Sequence, residues 1–116
     1  MSYQKKIGNQ GEARVAQYLA RNQHVILARQ WHCRYGEIDI ISYDCRAHEL
    51  VFIEVKTRSV DWLGRFPVLH PLQQERLAAS ISLYVSNVQW TNRYRFDLAI
   101  VRPDGPLTYY RHMPLE

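Results

Sequence analysis

Apolar residues recur along this chain with two different periods. From about Asn9 to Arg21, Val15, Ala16 and Leu19 return at helical spacing while Arg14, Gln17 and Arg21 turn the other way. That pattern predicts an amphipathic first helix, with Glu12 on its apolar side one turn before Val15 and Ala16. Residues His24 to Gln30, Gly36 to Tyr43 and Leu50 to Lys56 read as three strands, the last two joined by the polar turn Asp44 to Glu49 into a β-hairpin. A second helix is predicted from Pro71 to Ser86, with proline in its first turn and a stripe of Leu77, Ala78, Ile81, Tyr84 and Val85 that should cover one sheet face. Tyr94, Phe96, Leu98 and Ile100 then alternate with Arg95, Asp97 and Ala99 as a fourth strand. Leu107 to His112 adds a fifth across the turn at Pro103 to Pro106. The chain shows no repeat, low-complexity tract or linker. The reading is one α/β domain over residues 1–116, a small mixed β-sheet flanked by helices.

Two of these strands carry charge where only apolar side chains are expected. Side chains alternate along a strand, so Leu50, Phe52, Glu54 and Lys56 share one face and Val51, Ile53 and Val55 the other. If the hairpin is symmetric about its turn, with Asp44 opposite Glu49, the register carries outward until Asp39 faces Glu54. Like charges directly opposite repel, and desolvation adds to the cost, so the pair needs a cation, a shared proton or a lysine. Lys56 is one compensator and a divalent metal is a stronger one. Mg²⁺ or Mn²⁺ takes oxygen ligands, is held by one or two carboxylates, and leaves positions for water and substrate phosphate. An ammonium two residues away offsets charge that builds on a phosphorane-like transition state, which is the chemistry of phosphodiester hydrolysis. The spacing alone is weakly specific; the weight comes from both carboxylates lying in apolar strands.

Composition narrows the classes. With 116 residues and 47% hydrophobic content, the chain suffices for one core and is too short for two domains. Cys33 and Cys45 cannot staple a small secreted fold, and the start MSYQKKIGNQGEARV lacks a signal peptide's apolar stretch, so a reducing cytoplasm is the expected location. No run approaches the roughly 20 apolar residues of a membrane span. The net charge of +4 is carried mostly by arginine, with lysine only at Lys5, Lys6 and Lys56. Arginine suits phosphate, although a mildly basic protein of this size need bind nothing in particular.

Other features read more plainly as structural. The histidines show no HExxH or zinc-finger spacing and the cysteines no zinc-knuckle pairing. GNQGE, residues 8–12, lacks the Lys-Ser/Thr of a nucleotide P-loop, so Gly11 is expected to permit close backbone packing. Asp97 is expected to be a structural partner. Glu12 divides between a metal-facing role and pairing with an arginine such as Arg95. Most aromatics, Tyr84, Tyr94 and Tyr109 included, fall on core or sheet positions, and Trp31 and Trp62, near predicted loops, are the better candidates for stacking on bases. Arg58, Arg65 and the segment SVDWLGRF follow the Lys56 strand as a lip over phosphate or a solvated loop.

The stretches GEARVAQYL, GEIDIIS, LVFIEVKTR and RFDLAIV, within about Gly8 to Val101, resemble the successive motifs of the YraN-like bacterial proteins. That family is placed in the PD-(D/E)xK nuclease superfamily, with restriction endonucleases and archaeal Holliday junction resolvases. The resemblance implies a restriction-endonuclease-like core and Mg²⁺-dependent cleavage. Asp39 matches the motif's aspartate, Glu54 and Lys56 its D/E and K positions, and Glu12 the first-helix glutamate that approaches the metal in many members. Ile38 stands where the motif's proline would be, and Gln73 where a lysine is common at the start of the second helix. Arg58, Arg65 and Gln73 are the expected nucleic-acid contacts, and dimerisation follows by analogy with junction-cleaving enzymes. Two functions survive: a metal-dependent endonuclease acting on DNA or structured nucleic acid, or a non-catalytic nucleic-acid-binding or protein-interaction module with the same fold, which the glutamine at position 73 favours.

Overall fold

The computed structural model describes residues 3–58 and 69–115, with side chains from residue 8 onward. Helix α1 (Tyr3–Arg21) leads into β1 (His24–Cys33), β2 (Gly36–Asp44) and β3 (Glu49–Thr57). Then come α2 (Pro71–Asn87), β4 (Tyr94–Val101) and β5 (Leu107–Tyr110). The strands form one sheet in sequence order, antiparallel throughout except for the parallel pair β3 and β4. Parallel neighbours cannot be joined by a tight turn, and α2 lies in the long connection between them.

Alternation decides which helix each strand residue meets. Leu50 and Phe52 of β3 join Phe96, Leu98 and Ile100 of β4 beneath Leu77 and Ile81 of α2. Val51 and Ile53, with Ala99 and Val101, pack instead against Val15 and Leu19 of α1. The sheet is therefore the middle of three layers. α2 begins where the sequence places it, because Pro71 lacks the N–H that a first turn leaves unpaired and His70 Nδ1 accepts from Leu72 N at 3.1 Å as the cap. At the other helix, a Cβ on Gly11 would come within 3.1 Å of Thr57 Oγ1 and 3.6 Å of Val101 Cβ, so glycine allows α1 to approach β3 and β4. Gly11→Val should accordingly lower the unfolding free energy by about 1–3 kcal/mol, read as an earlier urea midpoint. An unchanged midpoint would show that the contact relaxes freely.

Several expectations need correction. α1 starts at Tyr3, not Asn9, and β1 runs to Cys33, where a two-residue turn at Arg34 and Tyr35 returns the chain to Gly36 at a left-handed φ of 147°. β5 stops at Tyr110. Arg14 does not turn away to water; its guanidinium donates to the carbonyls of Arg102 and Gly105 at 2.8 and 3.0 Å and clasps the turn between β4 and β5. Trp31 lies within β1 and meets Tyr84 edge-on at 5.3 Å, so it is not a free stacking platform; Trp62 falls outside the described residues. Tyr94, placed by the pattern in the sheet, is half exposed although its ring meets Phe52 edge-on.

Arg95 pairs with carboxylates at the other end of the sheet rather than with Glu12. Its Nε meets Asp97 at 3.0 Å, and its Nη1 meets Asp44 at 2.9 Å and Glu49 at 3.1 Å. Asp97, fully buried, also accepts from the Tyr109 hydroxyl at 2.6 Å and the His112 N–H at 3.0 Å, which makes it the structural partner expected. Although burial pushes the Asp44 carboxyl upward, the Ala47 N–H, Arg95 and the Arg46 N–H outweigh it and hold Asp44 at about 2. Among the described residues, no helix is long and apolar enough to cross a membrane.

Candidate active site

The β2–β3 hairpin keeps the symmetric register read from its turn, Asp44 opposite Glu49, out to Ile40 opposite Ile53, and there the ladder stops. Ile38 and Ile40, two apart and so expected on one face, pack into opposite clusters, which means that β2 changes face at Asp39. The next strand shows a matching irregularity. Gln30, between the Arg29–Ile40 and Trp31–Ile38 pairs, takes a left-handed φ of 50°, a costly conformation for a non-glycine residue. Freed from regular pairing, the Asp39 side chain supplies what the ladder no longer does: its Oδ2 accepts the Val55 N–H at 2.8 Å. This hydrogen bond fixes the carboxylate at the mouth between the two strands.

Glu54 reaches the same place from β3. Burial first, then a hydrogen bond to the Asp39 carboxyl and repulsion from its charge, push Glu54 up to about 9, against the pull of Lys56 and of a hydrogen bond from Gln73. A Glu54 carboxyl that keeps its proton relieves the repulsion from Asp39 that a cation would otherwise have to offset. Two hard oxygen donors in contact, with a proton that a dication can displace, fit Mg²⁺ or Mn²⁺, which need only one or two protein carboxylates. Among the described residues, no group of three or more His, Cys, Asp or Glu side chains forms a fuller cage.

The raised Glu54 sets a pH dependence with a definite sign. Above its ordinary 4.5 the unfolded chain has released this proton while the folded chain keeps it, so its contribution to stability is complete below 4.5 and lost as pH rises toward about 9. In chelator, urea midpoints of the wild type should fall across that window more steeply than those of Glu54→Gln. Parallel pH profiles for the two proteins would refute a raised Glu54 carboxyl.

Glu12 arrives from α1, 5% exposed, and its Oε1 accepts from Arg29 Nε at 3.0 Å. Burial, and secondarily the charge of Asp39, raise its pKa against that hydrogen bond. Glu12 and Asp39 line one cavity of about 360 Å³ with Asn9, Gln30, His32 and Glu37. The sequence reading missed these last four. Gln30 and His32 would have stood out had the Arg34–Tyr35 turn been recognised, since the β1–β2 register sets them beside Asp39 and opposite Glu37. Of the expected phosphate contacts, Arg58 is exposed just past β3, its Nη1 donating to Thr57 O at 3.0 Å. Gln73 points at Glu54, with Nε2 to Oε2 at 2.9 Å. Arg65 and its segment lie outside the described residues.

Comparison with known proteins places these features in a family. Residues 11–101 match the family described as Uncharacterised protein family UPF0102. A UPF0102 protein of Thermosynechococcus vestitus is 38% identical over 112 residues, covering 93% of this chain and 90% of that protein. One from Geobacter metallireducens is 32% identical over 114 residues, covering 97% and 92%. Among solved structures, a Holliday junction resolvase from Archaeoglobus fulgidus superposes with a TM-score of 0.56 at 17% identity, over 90% of this chain and 76% of the resolvase. That likeness is one of fold: an α/β core with a mixed sheet between helices. With the family profile spanning α1 to β4 and relatives aligned along nearly the whole length, the chain belongs to the UPF0102 family.

Proposed function

We propose that this chain is a divalent-metal-dependent endonuclease that hydrolyses phosphodiester bonds in DNA, with branched DNA as its preferred substrate. One observation carries the reading: at the end of the hairpin ladder Asp39 and Glu54 come together near the charge of Lys56, and Asp39 also lines a cavity with Glu12. Crowding half-buried Asp39 against buried Glu54 costs stability, and strain of this kind collects at functional sites. The shared fold of a Holliday junction resolvase supports the choice of branched DNA.

Asp39 and Glu54 would hold the ion, which when bound supplies Lewis-acid polarisation of the phosphoryl oxygen and a more acidic water. The chain's own groups do the rest. Val55 N–H keeps Asp39 from swinging into solvent. Lys56, two residues beyond Glu54, sets a positive charge where negative charge builds on the phosphoryl group. The exposed Arg58 offers a bidentate donor to the phosphate backbone, and Glu12 and Gln30 wall the cavity beneath. A four-way junction has two strands to cut, so a homodimer with one site per strand is the working assembly.

The test is incubation of purified protein with duplexes, single strands, flaps and four-way junctions in Mg²⁺ or Mn²⁺, with chelator as control. Cleavage should appear with the ion, vanish with chelator, and be fastest on branched substrates. Lys56→Met should slow it by about 10²–10³-fold, the range for removing one stabilising charge from a transition state. Retarded migration of DNA with no cleavage under any ion would instead establish a binding module.

A further inference from the structure

Gln73 occupies the third position of α2, two residues after Pro71, and its side chain bridges two layers of the fold. Its Nε2 donates to Glu54 Oε2 at 2.9 Å, across nineteen residues of sequence. The neighbouring Gln74 does something different, donating from Nε2 to the Leu69 carbonyl at 2.9 Å and so closing the helix start on itself. The base of Gln73 is fixed, because α2 is capped by His70 and pinned by Leu77 and Ile81 against Phe52 of β3. Glu54 extends from the same strand and the same face as Phe52, between Asp39 on one side and Gln73 on the other.

We propose that Gln73 is a positioning residue of the metal site: its amide fixes the Glu54 carboxylate in the orientation that leaves one oxygen free for the ion, instead of contacting substrate phosphate. The inference rests on the metal-dependent reading above. A neutral amide suits this task. It hydrogen-bonds the carboxylate that binds the ion and adds no positive charge to compete with it. Without that donor, Asp39 is the remaining side-chain hydrogen-bond partner of Glu54 among the described residues, and Glu54 is free to turn both oxygens toward it.

The experiment is calorimetric titration of Mn²⁺ into wild type, Gln73→Met, Gln74→Met and Asp39→Asn, with thermal unfolding of each. Outer-shell partners of metal ligands are typically worth 10–100-fold in affinity. Gln73→Met, of similar volume but without a donor, should weaken Mn²⁺ by about that factor at an unfolding temperature close to wild type. Gln74→Met, the same change one residue along, should leave the affinity within about twofold. If Gln73→Met does not fold, Gln73→Asn, which withdraws the amide by one methylene, takes its place and should show the same loss. Wild-type affinity in the Gln73 variant, while Asp39→Asn abolishes binding, would overturn the positioning role and leave the metal site standing. Failure of the wild type itself to bind Mn²⁺, or undiminished binding by Asp39→Asn, would overturn the metal site and the positioning role with it.

Discussion

Asp39→Asn should abolish both divalent-ion binding and nucleic-acid cleavage, with a loss in each of more than about 100-fold, while the protein folds as well as before or better. The two halves of this result have one cause. In the proposed site the carboxylate would give the ion a formal charge and a hard oxygen, and outer-shell changes alone reach 100-fold, so removing a direct ligand should exceed that range. The fold, however, asks something less of the same side chain. It needs an acceptor for the Val55 N–H, 2.8 Å away, and the asparagine oxygen provides one. The amide also turns a like-charged neighbour of Glu54 into a hydrogen-bond donor, which removes the repulsion that raises Glu54 and, more weakly, Glu12. A small gain in unfolding temperature is therefore expected in chelator, the usual relation between a strained site and its removal. Loss of folding in this variant would show that the charge on Asp39 is structural. Retained cleavage would remove it from the chemistry.

The hairpin that sets this site was legible from local rules. Strict alternation from Leu50 to Val55 sorts side chains between two helices, and the polar turn from Asp44 to Glu49 fixes the register, so the approach of Asp39 to Glu54 followed without knowledge of the rest of the chain. What the pattern could not show is how the register ends. It predicts a continued ladder, whereas β2 changes face at Asp39 and the carboxylate itself receives a backbone N–H. The change of face is matched in the adjacent strand by Gln30, whose left-handed backbone no periodicity signals. Partners distant in sequence were equally hidden. Glu12 meets Arg29 from a strand read as ending one residue later, and Gln73 donates to Glu54 across nineteen residues. Arg14 looked like a solvated helix position because its partners are carbonyls of a turn 88 and 91 residues away, and carbonyls leave no trace in a hydropathy pattern. The first turns of α1, Tyr3 to Asn9, carry polar residues and a glycine, so no stripe announced them.

Arg95→Met should produce the opposite separation, a large loss of stability with the site intact. Arg95 is 5% exposed and faces Asp44, Glu49 and Asp97, which would remain as three buried acids around an apolar side chain. Removing one member of a buried ionic group costs about 3–5 kcal/mol because the charges left behind are uncompensated. In a chain of this size that corresponds to a fall in unfolding temperature on the order of 15 °C. Some compensation survives: Asp97 keeps the Tyr109 hydroxyl and the His112 N–H, and Asp44 keeps the Arg46 and Ala47 N–H groups and the Arg111 guanidinium at 3.8 Å. His24, 3.6 Å from Asp44, cannot readily take over the charge, because its own burial lowers its pKa against the pull of that carboxylate. The pH dependence identifies the cause. Without the guanidinium the Asp44 carboxyl loses one of the hydrogen bonds that hold it at about 2, so the deficit should widen as pH rises from about 2 through its ordinary 3.8. A deficit that stays constant with pH would point to lost packing of the arginine stem instead. Because the cluster sits at the turn end of β2 and β3, away from the frayed end that holds Asp39 and Glu54, the folded fraction of Arg95→Met should still bind Mn²⁺ with wild-type affinity. The hairpin thus carries acids at both ends: buried Asp44 and Glu49 beside an arginine that holds the fold together, and half-buried Asp39 with buried Glu54, the pair proposed to take an ion.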